Sequence, residues 1–286
     1  MRKKWLLLSL FLLGVIVTSE TPCFGITVGN PLDLDLPPRS ALLREQAIND
    51  TLDEYEQAVE IKAAFDLEFM FDKDLNTTSE VTKAELEGQW FMAKLGVDVF
   101  NRVEPYVKFG LASLNAKWRQ NDTDDVTMET SKGFAWGIGL KGVIIELEEM
   151  GLRLTGDAQY RVTEPDVDKI TRSGASVIDS GADFKVEEWQ VALVLSKKFE
   201  LPLKWQSVFI VPYTGLTVSD STVEARFKDP AAPGYDLDIF NANNDSLYGF
   251  LIGCDIMPSL TSSFTYSIEL RLASETALTL GGAMRF

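Results

Sequence analysis

Histidine is absent from this chain of 286 residues, and cysteine occurs only twice. Without histidine, a Ser-His-Asp triad, a histidine general base and a histidine-ligated metal centre are all impossible. Two cysteines are too few for a disulfide framework or a cysteine-rich zinc site. We therefore expect no catalytic residue, no metal and no cofactor, and we expect that the protein is not an enzyme.

Positive charge is also scarce, because 27 Lys and Arg stand against 43 Asp and Glu and the net charge is −16. A surface that binds nucleic acid needs a basic face, so we expect no nucleic-acid partner. Hydrophobic residues make up 45% of the chain, which is too many for a disordered protein. The length is sufficient for one sizeable domain or two small ones.

The first 25 residues have the layout of a secretory signal. Arg2, Lys3 and Lys4 precede an almost unbroken apolar run from Trp5 to Val17, and a short polar stretch ends at Gly25. A positive start, an apolar centre and a polar end define such signals, and the run is shorter than the ~20 residues of a spanning helix. We predict that residues 1–25 are removed near Gly25 and that the protein is exported.

Beyond residue 25 the dominant pattern is an alternation of apolar and polar residues. From Glu60 to Phe71 every odd position is apolar, whereas four of the six even positions are charged. A period of two indicates β-strands with one apolar and one polar face. The same alternation recurs in residues 91–99, 107–111, 134–144, 151–163, 189–195, 210–218, 248–256, 264–270 and 278–286.

Three features favour a membrane barrel over a soluble sheet. The strands are about 10 to 15 residues long, where soluble strands have ~5–6 and a tilted membrane strand needs ~9–11. Short and long connections alternate, as they do in outer-membrane barrels; the long ones are predicted at Lys73–Lys83, Arg119–Gly133, Glu164–Phe184 and Ser219–Asp245. Aromatic residues at strand ends would form interfacial girdles: Trp90, Trp118, Trp136, Trp189, Tyr106, Tyr213 and Tyr248.

The predicted fold is an all-β, closed, antiparallel, transmembrane up-and-down β-barrel of about ten strands, with eight or twelve as alternatives. The barrel would occupy residues 60–286. Residues 26–59 would form a short periplasmic extension, because apolar residues at helical spacing follow the candidate N-cap Ser40 and predict one amphipathic helix up to Val59. Whether this helix plugs the lumen, contacts a periplasmic partner or covers the lower rim stays open.

Several segments carry a family resemblance. Leu278–Phe286 resembles the closing strand of bacterial outer-membrane barrels, which ends in an aromatic residue. Residues 105–112 are similar to a strand of the small OmpA-like and opacity-type barrels, and residues 134–142 with 159–162 resemble their next hairpin. Residues 212–216 with 247–253 look like a second copy of this pair. The resemblance implies residence in the outer membrane, contact with its lipid, and recognition of Phe286 by the barrel-assembly machinery.

Two apparent motifs have simpler explanations. Gly137, Gly139 and Gly142, with Asp157 further on, match a dinucleotide fingerprint, but that mechanism needs the glycines to open a helix. Here they lie in a predicted strand, where inward glycines leave room for larger neighbours. Residues 121–125 gather carboxylates that could bind Ca²⁺, but they lack the turn glycine and distal Glu of an EF-hand loop, which favours a solvated loop tip.

The inward faces of the predicted strands carry charges of both signs. They would form either a pore lining that selects ions or polar solutes, or an ion-paired core that fills a narrow lumen; the near balance of signs favours the core. We predict a structural or surface-interaction role through long acidic external loops, with a narrow, porin-like diffusion channel as the alternative. An external ligand or a solute would then be the partner. The predicted lumen network comprises Glu68, Lys94, Lys108, Lys141, Arg153, Asp157, Arg161, Glu269 and Arg271.

Overall fold

The computed structural model describes residues 26–28, 59–77, 81–120, 124–177, 183–203, 207–228, 236–244, 247–259, 262–272 and 275–286. All regular structure there is β-strand except for one 3₁₀ turn at Glu148–Met150. No helix among these residues is long and apolar enough to cross a membrane. The strands are β1 (Val59–Asp72), β2 (Asp74–Asn76), β3 (Val81–Val99), β4 (Val103–Gln120), β5 (Asp124–Thr130), β6 (Gly133–Leu147), β7 (Leu152–Glu164), β8 (Val167–Arg172), β9 (Ala175–Val177), β10 (Asp183–Lys197), β11 (Phe199–Pro202), β12 (Ser207–Lys228), β13 (Asp236–Asn244), β14 (Tyr248–Met257), β15 (Phe264–Leu272) and β16 (Thr276–Arg285).

Ten long strands close into a barrel. In the order β1, β3, β4, β6, β7, β10, β12, β14, β15 and β16, each strand pairs antiparallel with the next. The last, β16, pairs with β1 from Lys62↔Arg285 to Asp72↔Thr276, so no barrel strand keeps an unpaired edge. The predicted closed antiparallel barrel and its preferred strand number are confirmed.

The alternation of the sequence becomes two faces of the barrel wall. In β1 the odd residues Ile61 and Phe65 are 60% and 46% exposed, whereas the even residues Lys62 and Glu68 are buried. The outward belt continues around the barrel through exposed Val107, Ile138 and other large apolar side chains. A closed barrel that is apolar outside and polar inside is the arrangement that lipid favours, because no water is present to hydrate outward charges.

The two ends of the barrel differ. At the turn end, short connections link the strands; residues 100–102 and 148–150 form two of them. In the first of these, Phe100 and Asn101 have positive φ, and Arg102 N donates to Val99 O at 3.0 Å. At the opposite end, the extension end, β2, β5, β8, β9 and β13 prolong the sheet beyond the ten barrel strands.

The described residues of the four connections predicted as long loops are mostly β-strand, which corrects the predicted strand limits. Strand β12 has 22 residues, β3 has 19 and β4 has 18, far more than the ~9–11 that a tilted strand needs to cross a bilayer. The strands therefore continue out of the membrane. The sequence obscured this because the alternation changes character there: the inward residues become apolar and the outward ones polar.

An apolar core fills the barrel at the extension end. Five of its large members are at most 3% exposed: Trp90, Leu86, Leu114, Trp118 and Met128. Outward neighbours on the same strands are polar, as a water-exposed sheet requires; they include Glu85, Glu87, Asn115, Lys117 and Arg119. The interior is thus mostly polar within the apolar belt, apart from small apolar clusters that include Val194, Val211 and Leu251, and apolar beyond it.

The predicted aromatic girdle is wrong for four of its seven residues. Trp90, Trp118, Tyr106 and Tyr213 are at most 5% exposed and point inward. Alternate residues of a strand point to the same face. Each of these four residues lies an even number of positions from inward residues of its own strand, so it points inward too. The other three point outward: Trp136, Trp189 and Tyr248 are 40%, 42% and 71% exposed.

The predicted amphipathic helix lies outside the described residues, apart from its last residue, Val59, which opens β1 instead. Part of the proposed calcium loop, residues 121–123, also lies outside them. Of its described carboxylates, Asp124 pairs with Arg172 at 2.6 Å and Asp125 with Arg119 at 2.8 Å. Both carboxylates therefore serve ion pairs that tie the extension strands together.

Candidate functional site

The lumen within the apolar belt is the candidate site, and its lowest layer lies near the turn end. Glu104 of β4, which is fully buried, accepts hydrogen bonds from Lys62 Nζ at 2.7 Å and pairs with Lys94 Nζ at 2.6 Å. Lys62 also pairs with Asp98 at 2.9 Å. Lys141 is 1% exposed and acts electrostatically on Glu104. One carboxylate thus holds cations that project from three different strands.

The upper layer lies just below the apolar core and has the same design. Glu68 of β1 pairs with Arg161 and Arg271, each at 3.0 Å. Arg161 also pairs with Glu188 at 2.5 Å, and Glu188 pairs with Lys73 at 2.6 Å. Buried ion pairs are tolerated only where each charge meets several partners, and this network meets that condition.

Trp90 connects the upper layer to the apolar core. Its ring lies 4.3 Å from the Arg161 guanidinium, and its Nε1 donates to Thr163 Oγ1 at 3.1 Å. A guanidinium over an indole face is a favourable cation–π contact. This inward tryptophan therefore closes the top of the polar network, which explains why it does not lie at the lipid interface.

The middle layer contains a repeated tyrosine and glycine device. Tyr106 of β4 lies over Gly139, its register partner on β6, and its hydroxyl donates to Asp157 Oδ1 at 3.0 Å on β7. A Cβ added at Gly139 would overlap the Tyr106 ring. Because the ring occupies the space that a side chain would need, Gly139 is required for this contact.

The second copy of this arrangement lies further along the chain, on β12, β14 and β15. Tyr213 of β12 lies over Gly253, its partner on β14, and its hydroxyl donates to Glu269 Oε2 at 3.3 Å on β15. In both copies a Pro-Tyr pair on one strand, a glycine on the next and a carboxylate on the third have the same arrangement. The structural match supports the hairpin duplication that the sequence suggests.

A short extended segment, Ile26-Thr27-Val28, occupies the middle of the lumen. All three residues are at most 3% exposed. Wall side chains hold its backbone: Gln190 Nε2 donates to Ile26 O at 2.6 Å, and Gln159 Nε2 donates to Thr27 O at 2.9 Å. Lys108 Nζ also donates to Thr27 O, at 3.1 Å. The wall therefore binds this segment largely through its peptide groups.

The side chain of Thr27 joins the segment to the upper ion-pair layer. Its hydroxyl donates to Glu68 Oε2 at 2.8 Å and lies 2.9 Å from Thr279 Oγ1. Arg271 NH1 donates to the Thr27 hydroxyl oxygen at 3.3 Å. On the other side, Val28 N donates to Glu269 Oε1 at 3.2 Å. Three residues of the N-terminal region thus add hydrogen bonds to a lumen built by distant strands.

The structure brings eight of the nine predicted lumen residues into these layers. Arg153 is the exception, because it lies at the turn end and pairs with Glu146 at 2.5 Å. Phe286 N donates to Ile61 O at 3.0 Å, which continues the pairing of β16 with β1, and the Phe286 side chain is 47% exposed.

Several residues of the network were missed by sequence reasoning. Glu104 lies outside the alternating ranges and Lys73 lies in a predicted long connection, although Glu104 points to the same side of its strand as inward Tyr106 and Lys108. Extending the alternation of residues 189–195 back by one inward position reaches Glu188, and extending that of residues 107–111 back by two inward positions, through Tyr106, reaches Glu104. No pattern in the sequence indicates that Thr27 enters the lumen.

The fold and its lumen define a membrane-spanning β-barrel of the bacterial outer-membrane type. No protein-family model and no curated protein sequence matches the chain. Among solved structures, the outer membrane protein OprG from Pseudomonas aeruginosa matches with a TM-score of 0.38 and 10% identity, over 80% of this chain and 96% of that one. The translocator domain of the autotransporter NalP from Neisseria meningitidis matches with a TM-score of 0.34 and 10% identity, over 86% and 93%.

The β domain of a Bordetella autotransporter matches with a TM-score of 0.36 and 9% identity, over 80% of this chain and 100% of that one. Matches this remote carry no argument about function. The class stated above rests on the closed strand pairing and the apolar belt of this chain.

Proposed function

We propose that this outer-membrane barrel does not conduct solutes and has a structural or surface-interaction role through its extension end. This proposal is supported by the filling of the barrel interior at two levels. Ion-paired side chains and residues 26–28 occupy the polar lumen, and the apolar core lies above them across the extension end. Ten strands leave a lumen that side chains can largely fill, and this filling would block the passage of solutes.

The outer surface of the extension supports an interaction role. Short turns face the periplasm and long connections face outward in outer-membrane barrels, so the extension end would face the cell exterior. A cavity there of about 400 Å³ is lined mainly by acidic residues, among them Glu164, Asp166, Asp183 and Glu224. A partner that meets this surface would need a complementary positive charge.

The second candidate is a narrow diffusion channel, because many charged and polar side chains face the lumen within the apolar belt. Conductance across a planar bilayer separates the two candidates. Full-length protein, inserted and verified by its heat-modifiable mobility, is compared with a general porin of 16 strands as the positive control. We expect no steady openings from this barrel under conditions where the porin conducts; steady openings of uniform size would establish the channel instead.

A further inference from the structure

The segment Ile26-Thr27-Val28 begins where the sequence predicts that the signal is removed. The layout of the first 25 residues predicts cleavage near Gly25, and the lumen independently holds residues 26–28. Hydrolysis of the Gly25–Ile26 bond by a signal peptidase adds water across the peptide, which leaves a carboxylate on Gly25 and an ammonium on Ile26. The new amino terminus would then lie inside the barrel.

We propose that Ile26 is the amino terminus of the exported protein and that the lumen is a binding site for it. The ligand class is an extended peptide with a free α-ammonium, a hydroxyl side chain at its second residue and backbone carbonyls directed at the wall. Gln190 and Gln159 hold the first two peptide groups, and Glu68 with Arg271 holds the hydroxyl.

Gln190 provides an acceptor at the first residue. Its Nε2 donates to Ile26 O, but its buried Oε1 has no hydrogen-bond partner among the described residues. A buried acceptor without a partner is costly, whereas an ammonium brings three donors. The free terminus therefore offers the hydrogen bond that Gln190 lacks.

The charge balance of the lumen agrees with one additional cation. Among the described residues, nine buried carboxylates face eight buried lysine and arginine side chains, and the half-buried Glu60 adds to the acidic excess. Buried charges are stable where opposite charges compensate them. One ammonium at Ile26 reduces that excess from two charges to one, which an internal peptide bond at the same position would not do.

The test labels the α-amine of the full exported protein, folded in detergent, with an amine-acylating reagent, and mass spectrometry identifies the amino-terminal peptide. We expect the peptide to start at Ile26 and to be acylated about tenfold more slowly, or slower still, than in the urea-unfolded protein, because the amine reacts only when the segment leaves the lumen. A different first residue, such as a lipid-modified Cys23, would overturn the proposal. Equal acylation rates in the folded and unfolded protein would also overturn it.

Two variants identify the contacts that hold the terminus. Thr27→Val removes a hydroxyl that contacts Glu68, Thr279 and Arg271, so the α-amine should become faster to acylate by about tenfold, which corresponds to the loss of one hydrogen bond to a charged group. Thr155→Val is the matched control, since Thr155 is 2% exposed and its hydroxyl has no partner among the described residues. Equal rates in both variants would contradict the assigned contacts. Should Thr27→Val not fold, the wild-type comparison still decides the proposal.

Discussion

The ion pairs of the lumen should carry much of the stability of the barrel, and Glu104 is the place to measure it. Glu104→Gln keeps the shape of the side chain but removes the charge that holds Lys62 at 2.7 Å and Lys94 at 2.6 Å. All three side chains are at most 5% exposed. Removing one partner of a buried ion pair costs about 3–5 kcal/mol, because the remaining charges stay buried without compensation.

The extension provides a matched control for the same chemical change. Glu87 pairs with Lys117 at 2.6 Å, but the two side chains are 36% and 45% exposed. The Glu87 carboxylate accepts a hydrogen bond from Lys117 and thereby raises the pKa of that lysine. Exposed pairs contribute about 0–1 kcal/mol, so Glu87→Gln should change stability little.

The assay is urea unfolding of the detergent-folded protein, followed by tryptophan fluorescence for the wild type and both variants. Glu104→Gln should lower the free energy of unfolding by several times the change in Glu87→Gln. If the free energy of unfolding falls by the same amount in the two variants, the lumen is hydrated and its ion pairs are no stronger than surface pairs. That result would refute the compact, ion-paired lumen described here.

Three further substitutions test other parts of the barrel by the same unfolding assay. Gly139→Ala should lower the free energy of unfolding by about 1–3 kcal/mol, because the new methyl group meets the Tyr106 ring. Gly142→Ala on the same strand should be nearly neutral, since the nearest atom to its Cβ is 3.5 Å away. Equal losses of stability in the two variants would contradict the tyrosine and glycine contact. Leu193→Arg places a charge on the lipid face and should cost about 2–4 kcal/mol; a neutral result would show that this face is wet. Leu114→Ala should cost about 2–5 kcal/mol through a cavity in the apolar core, and a loss below about 1 kcal/mol would show that the core is loosely packed.

Much of the barrel could be predicted from the sequence because its two faces meet different solvents. Lipid accepts Phe65 and Ile138 but not Lys62 or Asp157, so charged residues keep to the inward positions wherever the wall crosses the membrane. The strand order also follows, since short connections force neighbours in sequence to pair.

Outside the membrane, the difference between the two faces of a strand is a weaker guide to the fold. Both faces of the extension strands are compatible with water or with a core, so polar runs such as residues 124–130 look like loops in the sequence. Trp90 shows the difficulty: an aromatic residue at a strand end suits a lipid interface, and only its parity indicates the interior. The position of Trp90 in the alternation is a stronger signal than its aromatic character. One residue of a strand cannot change face unless its neighbours change face as well.

The entry of Ile26-Thr27-Val28 into the lumen could not be predicted in this way. Three residues are too few to show a period, and their contacts join positions that are far apart in sequence, such as Thr27 and Thr279. What holds them is the shape and polarity of a cavity that exists only after ten strands have closed. Such contacts depend on tertiary structure and leave no local signal.

The most direct test of the account uses the native thiol of Cys254. It lies on the outward face of β14, between the exposed side chains of Ile252 and Ile256, and lipid would surround this face. In vesicles, a charged, membrane-impermeant maleimide should leave Cys254 unmodified while it labels a Lys117→Cys variant at the extension end, and urea should make Cys254 reactive. Equal labelling of Cys254 in the folded and unfolded protein would show that this face meets water, and the barrel would then not span the membrane as described.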